Sequence, residues 1–282
     1  MSFQQAVQIV HDALAQLREN GADLRTSAAT LERLATLPPV AAAREATTPA
    51  PQIALAASPA AAAPIAAPKR TGDATKKAAQ LAELRGPVLA CTKCEHLVKS
   101  RTQVVFGVGN PDAELMFVGE APGEDEDLEG EPFVGKAGQL LTKIIGAMDF
   151  AREDVYIANV LKCRPDMTVG DSGNRKPTSA EMQTCLPYLR QQIDIIQPRA
   201  LVALGATAME GLLGETAPMK ELRGRWHEFH GIPLMATYHP AYLLYNQALS
   251  EKRKVWEDLL MVLEKLGRPI SEKQRNFFLP RE

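Results

Sequence analysis

Residues 115–123 read Leu115-Met116-Phe117-Val118-Gly119-Glu120-Ala121-Pro122-Gly123, an apolar run followed by a tight Gly/Pro turn. A short apolar run bounded by turn residues is typical of a strand buried inside a sheet. The turn would place backbone N–H groups and the Glu120 carboxylate at the carboxyl end of that strand. Open α/β sheets bind their ligands at this rim. The stretch therefore predicts an α/β fold and one edge of its binding site.

Strands and helices alternate along the rest of the chain. Three more strands are expected, at Val155–Val160, Ala200–Leu204 and Leu234–Thr237. Helical patterns lie between and after them, at Ala137–Met148, Ser179–Ile196, Ala206–Leu213 and Lys252–Leu266. This alternation predicts a mostly parallel sheet that is covered by helices on both faces.

The sequence divides into four segments. In residues 1–37, apolar positions spaced by four and three residues from Phe3 onward predict an amphipathic helix, either a hairpin without catalytic role or a helix that docks a protein partner or a second copy. Residues 38–77 are expected to be an Ala/Pro-rich disordered linker, because 38–68 alone hold 14 alanines and 7 prolines and too little bulky apolar surface to pack. The folded domain is expected at 78–270, followed by a C-terminal tail at 271–282.

The net charge and hydropathy of the whole chain limit which partners and which cellular location can be predicted for the protein. The net charge of −2 does not indicate nucleic acid, so any DNA contact must come from local basic patches. No run of 18 or more apolar residues predicts a membrane span, and the first residues lack the pattern of a secretory signal. We therefore predict a cytoplasmic protein without membrane contact.

The chain has four cysteines, Cys91, Cys94, Cys163 and Cys185. In a reducing compartment they are more typical of metal ligands or free thiols than of disulfides. Cys91 and Cys94 form a CxxC pair, which can hold one metal centre from a single turn. The wide spacing of the second pair favours an iron–sulfur cluster over a compact zinc site. A thioredoxin-like redox pair and ordinary buried thiols remain alternatives.

Several polar and aromatic side chains follow the predicted strands. Asn159 ends the second strand, and its amide can donate and accept, which suits a nucleobase edge. His239 follows the last strand and can donate to an oxygen that gains charge during a reaction. Phe133 precedes the Gly135–Gly138 turn, whose helix amides could face an anion, and is either a core residue or a stacking platform.

Two charged segments flank these positions. The acidic run at 124–131 reads mostly as a solvated loop. A local basic cluster would suit phosphate groups and consists of Lys162, Arg164, Arg175 and Lys176.

Five segments, taken in order with the cysteines interleaved, resemble the iron–sulfur (family four) uracil-DNA glycosylases over about residues 85–265. They are GEAPG at 119–123, PFVGKAGQLL at 132–141, NVLKCRP at 159–165, NRKPT at 174–178 and TYHPAYLL at 237–244. The resemblance implies a three-layer α/β/α sandwich with a four-stranded parallel sheet and a structural [4Fe-4S] cluster on the four cysteines. It also implies hydrolysis of the N-glycosidic bond of deoxyuridine in DNA, the first step of base-excision repair.

The resemblance assigns roles in a pocket that receives a flipped uracil. Phe133 would stack on the base, and Asn159 would read its Watson–Crick edge. Backbone groups of Glu120, Ala121 and Gly123 would line the pocket. The stabiliser of charge on the uracil oxygen would be His239. The carboxylate near the sugar or the attacking water would be that of Glu120, with Glu126 as the second candidate.

The resemblance also implies DNA contacts outside the pocket. The four basic residues named above would meet the phosphates, and Tyr242 to Leu244, with Tyr242 and Leu243 foremost, would form the apolar wedge that fills the emptied base stack. Two departures stand out. Related glycosylases of the wider superfamily place Asp where this chain has Ala121, so leaving-group stabilisation would carry more of the barrier. Residues 166–173 look like an insertion.

Three other interpretations of the sequence predict different features. A relative that traps its product covalently would carry an added His-containing loop after Gly135–Gly138, whereas here this segment runs directly into Gln139. A non-enzymatic nucleotide-binding module fits poorly with the intact Glu120, Asn159 and His239. A zinc-stapled α/β hydrolase would lack the brown colour of an iron–sulfur protein.

Overall fold

The strand predicted from residues 115–123 lies at the centre of the sheet. The computed structural model describes residues 74–165 and 173–279. Its strands are β1 Val108–Gly109, β2 Leu115–Gly119, β3 Tyr156–Asn159, β4 Ala200–Leu204, β5 Trp226–Phe229 and β6 Ile232–Thr237. Every residue of β2, β3 and β4 is buried, because both faces of the sheet are covered. This burial explains their nearly continuous apolar sequence.

The sheet has six strands among the described residues, in the order β1-β3-β2-β4-β6-β5. The inner four run parallel, while β1 and β5 pair antiparallel at the two edges. Gly119 is paired with Asn159, and Leu204 with Thr237. The loops that follow β2, β3, β4 and β6 therefore leave the sheet at one common edge.

Helices connect the strands. They are α1 Ala74–Leu89, α2 Glu95–Ser100, α3 Glu124–Glu129, α4 Lys136–Ala147, α5 Ser179–Ile196, α6 Ala206–Leu213, α7 Met219–Leu222, α8 Pro240–Tyr245, α9 Leu249–Leu266 and α10 Glu272–Arg275. A capping box of Thr178 and Glu181 begins α5, and Gly267 in the left-handed region ends α9.

Alternate residues of the central strand pack into two separate apolar clusters. Met116 and Val118 contact the cluster that contains side chains of α1, α5 and α6. Leu115 and Phe117 contact the cluster that contains side chains of α4 and α9. Because successive strand residues point to opposite faces, the two clusters lie on either side of the sheet. The result is three layers, helix, sheet and helix.

The predicted α/β class is confirmed. Each strand and helix predicted between residues 115 and 266 is present within a few residues, and α5 and α6 have the predicted bounds. The number of strands differs, because two short antiparallel strands extend the four parallel ones at the edges.

The segment boundaries stay predictions. The helix expected in residues 1–37, most of the linker and the insertion, and residues 280–282 lie outside the described residues. α1 begins at Ala74, within the range assigned to the linker, and the Lys77 ammonium donates to Asp112 and to the Ile196 carbonyl, both at 2.8 Å. α10 lies within the range assigned to the tail. Over the described ranges, no helix is long and apolar enough to cross a membrane.

Candidate active site

The loop after β2 forms one wall of the site. Backbone hydrogen bonds tie it to the segment after β3, since Val160 N–H donates to the Gly119 carbonyl and Leu161 N–H to that of Glu120, both at 3.0 Å. Burial raises the pKa of the Glu120 carboxyl, and a hydrogen bond with Thr207 and the charge of Lys176 act in the opposite direction. Glu120 is thus a partly desolvated carboxyl group. It follows β2 at the rim of the sheet, the position that the sequence predicts.

Asn159 reaches the same place from the end of β3. It is 2% exposed, and its Oδ1 is buried without a hydrogen-bond partner. Buried polar atoms are almost always paired, so this acceptor is available to a donor group of a bound molecule. A Cβ atom on Gly119 would lie 2.4 Å from this Oδ1 and 2.5 Å from Cζ of Phe133. Glycine at 119 is therefore what allows these two side chains to approach each other.

Phe133 is held in an unusual backbone conformation. Its φ is +56°, a left-handed value that side-chain-bearing residues rarely adopt. Arg152 donates to the carbonyls of Pro132 and Phe133, at 2.7 and 3.1 Å. A Cβ atom on Gly138 would lie 1.7 Å from the Phe133 carbonyl oxygen, so α4 can begin beneath Phe133 only with glycine there. These constraints fix the ring, whose centroid is 5.4 Å from that of His239.

His239 lies between β6 and α8 and caps that helix. Its Nδ1 accepts a hydrogen bond from Ala241 N–H at 3.2 Å, so the ring proton is on Nε2. Burial lowers the pKa of His239 to about 4, and the charge of Glu126 opposes that shift. At neutral pH the imidazole is uncharged, and Nε2–H has no protein partner within the described ranges.

Glu126 joins two loops of the site. One carboxylate oxygen accepts from Gly123 N–H at 3.0 Å, and the other accepts from the N–H groups of Val134 and Gly135, at 3.0 and 3.1 Å. These three bonds clamp the start of α3 to the start of α4. They also engage the Gly123 amide, so that predicted pocket group is already bonded, while Ala121 packs against the core. The geometry favours a positioning role for Glu126.

The four cysteines come from three separate parts of the chain. Cys91 follows α1, Cys94 precedes α2, Cys163 follows β3 and Cys185 lies in α5, and none forms a disulfide. Their thiols interact electrostatically with one another. Burial raises the pKa of Cys94 and Cys163 and, most strongly, that of Cys185 to about 11. The fold thus brings together four cysteines that are widely spaced in the sequence.

Nitrogen donors surround this sulfur set. Arg101 donates to Cys163 Sγ at 2.9 Å and to the Cys91 carbonyl at 2.8 Å, and the Lys162 backbone N–H donates to Cys185 Sγ at 3.3 Å. Within residues 74–165 and 173–279, no three His, Cys, Asp or Glu side chains are arranged to hold a metal ion. An all-sulfur donor set with N–H groups directed at the sulfurs nevertheless fits an iron–sulfur cluster, whose ligands are more widely spread than those of a single ion.

The structure corrects the prediction that Lys162 contacts DNA. Its side chain is 1% exposed, and its ammonium donates to the Asn159 carbonyl at 2.9 Å and to Gln192 Oε1 at 2.6 Å. Burial lowers the pKa of Lys162 to about 8. A buried ammonium that is bonded to protein acceptors cannot meet a phosphate at the surface.

The other predicted phosphate contacts lie nearer the surface but already have protein partners. Arg164 donates to the Gly173 carbonyl at 3.1 Å, and its Nε is buried without a partner. Arg175 binds both carboxylate oxygens of Glu181, at 2.6 and 3.0 Å. Lys176 is the most exposed of the three and donates to Glu210 at 2.6 Å.

The structure corrects the predicted wedge at Leu243. Leu243 is 6% exposed and belongs to the core, so it cannot enter a base stack. Tyr242 stacks on Tyr238 with ring centroids 4.5 Å apart, and its hydroxyl donates to Glu251 at 3.1 Å. The side chain that α8 exposes is Tyr245, at 92%.

Comparison with known proteins adds the family. The profile of the uracil DNA glycosylase superfamily matches residues 106–260. The chain is 40% identical to a type-4 uracil-DNA glycosylase of Archaeoglobus fulgidus over 68% of this chain and 94% of the relative. It is 45% identical to that of Thermotoga maritima over 61% and 87%, and 43% identical to that of Sulfurisphaera tokodaii over 63% and 80%. The chain belongs to the type-4 uracil-DNA glycosylases. The family that the sequence motifs resembled is thereby confirmed.

Sequence reasoning missed several residues that support this glycosylase pocket. Thr207 bonds to Glu120 from the start of α6, and its place just after β4 was a usable signal. Three further residues act through distant contacts. Arg152 bonds to the Phe133 loop, Arg101 to Cys163 and Gln192 to Lys162. No local pattern marks these three, because each acts through a contact distant in sequence.

Proposed function

We propose that this protein hydrolyses the N-glycosidic bond of deoxyuridine in DNA, releasing uracil and leaving an abasic site for base-excision repair. The observation that carries the proposal is the orphaned Asn159 Oδ1, buried beside the Phe133 ring. Such an acceptor next to an aromatic face suits a planar base that brings its own N–H group. The membership of the chain in the type-4 family supports the same activity.

Asn159 would choose uracil over cytosine. The target nucleotide leaves the duplex because the bond to be broken cannot be reached inside the stack. Uracil carries an N3–H donor that Oδ1 can accept, whereas N3 of cytosine is itself an acceptor and would face this oxygen unfavourably. Phe133 would hold the base by its face.

His239 would stabilise the leaving group. As the N-glycosidic bond breaks, its electron pair stays on uracil, which becomes an anion, and the sugar gains oxocarbenium character. An Nε2–H donor aimed at the uracil oxygen stabilises this charge in a site with little water. Because burial keeps the pKa of His239 at about 4, the group acts as a neutral hydrogen-bond donor without giving up its proton.

Glu120 would act on the sugar side. Its carboxylate would stabilise the cationic sugar or orient the attacking water, whose oxygen bonds to C1′ while its protons go to the base product and solvent. Its partial burial strengthens this interaction with a developing positive charge. Glu126 would contribute indirectly by holding the Gly123 and Gly135 loops in place.

The four cysteines would hold a [4Fe-4S] cluster. When bound, it would cross-link α1, α2, the segment after β3 and α5 rather than take part in the reaction. Arg101 would stay directed at Cys163, and Lys162 N–H at Cys185, to offset the charge of the sulfurs.

The DNA surface would lie around the mouth of the pocket. Arg164, Arg175 and Lys176 are kept as phosphate contacts, with Lys176 the most accessible. A wedge requires an exposed apolar or aromatic side chain, so Tyr245 takes the place first given to Tyr242 and Leu243. The cytoplasmic location, and a protein partner or second copy at residues 2–37, also remain predictions.

Excision from a labelled oligonucleotide tests the function. One uracil is placed opposite G, opposite A or in a single strand, and alkali then cleaves any abasic site. Matched oligonucleotides carry thymine or cytosine at the same position. Cleavage only at uracil is expected, and no cleavage by protein that retains its iron would overturn the proposal.

The His239→Ala variant tests the assignment of the leaving-group stabiliser. It should lower the single-turnover rate by about 10²-fold or more while DNA binding changes little. Equal losses in rate and binding would count against the assignment.

Iron and acid-labile sulfide, measured per chain, test the cluster. Aerobically purified protein should be brown, with absorbance near 400 nm in addition to that of the polypeptide. Cys185→Ser should lose this absorbance. Zinc in place of iron in the wild-type protein would contradict the cluster but leave the activity to be judged by the excision assay.

A further inference from the structure

The buried ammonium of Lys162 bonds directly to the residue that is proposed to read uracil. Its Nζ donates to the Asn159 carbonyl at 2.9 Å, three residues earlier in the chain. Lysine is rarely buried this fully, because its charge must be satisfied by protein groups. The bond therefore fixes the backbone at the end of β3, from which the Asn159 side chain projects.

A second set of bonds holds Lys162 itself. Gln192 of α5 accepts from Nζ at 2.6 Å, and the amide nitrogen of the same side chain donates to the Phe106 carbonyl at 2.9 Å and to the Tyr156 hydroxyl at 3.2 Å. Gln192 is fully buried. Because both ends of its amide are occupied, Gln192 keeps one orientation and offers its oxygen to Lys162.

The backbone of Lys162 is fixed as well. Its N–H donates to Cys185 Sγ at 3.3 Å, and its carbonyl accepts from Val105 N–H at 2.8 Å. One residue thus touches a predicted cluster ligand with its backbone and the base-reading asparagine with its side chain.

We propose that Lys162 is a positioning residue that sets Asn159 for reading uracil, with Gln192 as its anchor. The inference rests on the proposed function and deepens it, since it explains how the backbone that carries the orphaned Oδ1 is held in place. Without Nζ, the end of β3 loses a charge-assisted bond and Gln192 Oε1 loses its donor. Asn159 would then sample orientations that no longer match the uracil edge.

The test separates base reading from DNA binding. Free uracil is measured as an inhibitor of excision, and affinity is measured for DNA that carries an abasic site and therefore no base. Lys162→Met keeps the length and apolar stem but removes the charge and the donors. Tyr156→Phe serves as the control, because it removes a hydroxyl from the same network without touching Lys162 or Asn159.

Lys162→Met should raise the inhibition constant of uracil by about 10-fold or more while abasic DNA binds within about twofold of wild type. Tyr156→Phe should change both by less than about threefold. Iron per chain and the thermal midpoint are recorded for each variant. An unchanged uracil constant in Lys162→Met, or equal losses for uracil and abasic DNA in protein that keeps its iron, would overturn the proposal.

Should Lys162→Met lose its iron or its fold, Lys162→Arg decides, because it keeps the charge but displaces the donors. A raised uracil constant with intact abasic-DNA affinity supports the proposal, and a wild-type constant rejects it. Failure of the wild-type protein to excise uracil would instead refute the proposed function, so the two failures are distinguishable.

Discussion

Burial favours the uncharged forms of two side chains, His239 and Glu120. It lowers the pKa of His239 to about 4 and raises that of Glu120. The two shifts have different effects on charge near neutral pH. His239 remains neutral throughout the neutral range, while Glu120 takes up its proton at a higher pH than an ordinary glutamate does. The acid side of the pH profile should therefore belong to Glu120.

The first prediction concerns that profile. The single-turnover rate should fall as pH decreases through the raised pKa of Glu120, because only the carboxylate stabilises the sugar cation. Glu120→Gln should be slower and lose this acid limb, whereas His239→Gln should be slower and keep it. An acid limb that vanishes in His239→Gln would assign it to the imidazole and contradict the prediction.

The second prediction concerns base choice. In Asn159→Asp the carboxylate can accept from the cytosine amino group but repels the uracil oxygen. Discrimination between uracil and cytosine should fall by about 1–3 kcal/mol, or roughly 5- to 150-fold. Excision of each base under single-turnover conditions measures it. Asn276→Asp makes the same chemical change at an exposed site and should leave selectivity as it is; unchanged selectivity in Asn159→Asp would sink the assignment.

The motifs predict which residues lie at the carboxyl ends of the strands, but not the direction in which every side chain points. Asn159, Phe133 and His239 follow strands or turns whose position in the fold is readable from the sequence. Lys162 looked like one of several surface cations, and its burial depends on Gln192, 30 positions further along the chain. Leu243 is ambiguous for another reason. A wedge residue and a core residue are both apolar, so its type does not show whether it is exposed.

At the level of elements, the most consequential contact is the clamp made by Glu126. Three backbone N–H groups from two loops converge on one carboxylate. The acidic run at 124–131, expected to be a solvated loop, is for the most part helix α3, and this carboxylate ties its first turn to the Phe133 segment.

The third prediction follows from the clamp. Glu126→Ala should lose about 1–3 kcal/mol of unfolding free energy, because three half-buried amides lose a charged acceptor. The excision rate should also fall, since the clamp sets the loop that carries Phe133. Glu129→Ala, an exposed residue of the same helix, is the control. Denaturant unfolding and single-turnover assays measure the two effects, and wild-type stability in Glu126→Ala would contradict the clamp.

Long elements were predictable and short ones were not. α5 and α6 carry clear apolar periodicity and capping or glycine signals at their ends. β1 is two residues long, and β5 reads Trp226-His227-Glu228-Phe229 without regular alternation. Both strands exist because an edge of the parallel sheet offers them a partner, which is a tertiary effect.

At the scale of the whole molecule, the catalytic domain includes α1. Lys77 is buried and bonds to Asp112 and to the Ile196 carbonyl at the end of α5. The point at which the N-terminal segment can be removed is therefore set by this helix rather than by the end of the low-complexity sequence.

The fourth prediction compares two truncations. Removing residues 1–73 should leave excision from a short duplex within about twofold of the full chain, since no residue assigned to the pocket is lost. Removing residues 1–77 also deletes Lys77 and should lower the thermal midpoint by about 2–8 °C. Loss of activity in the shorter deletion would show that residues 1–73 belong to the catalytic machinery.

The bond from Lys77 to Ile196 also has a consequence for synthesis of the chain. The two residues are 119 positions apart. At about 5–20 residues per second, a ribosome needs about 6–24 s to make that stretch, so α1 leaves the tunnel long before its docking partner exists. During that interval the apolar residues of α1 have no α5 to pack against, and Lys77 lacks the Ile196 carbonyl as its acceptor. Chaperone access to the newborn chain should be greatest there, and it should end when α5 emerges.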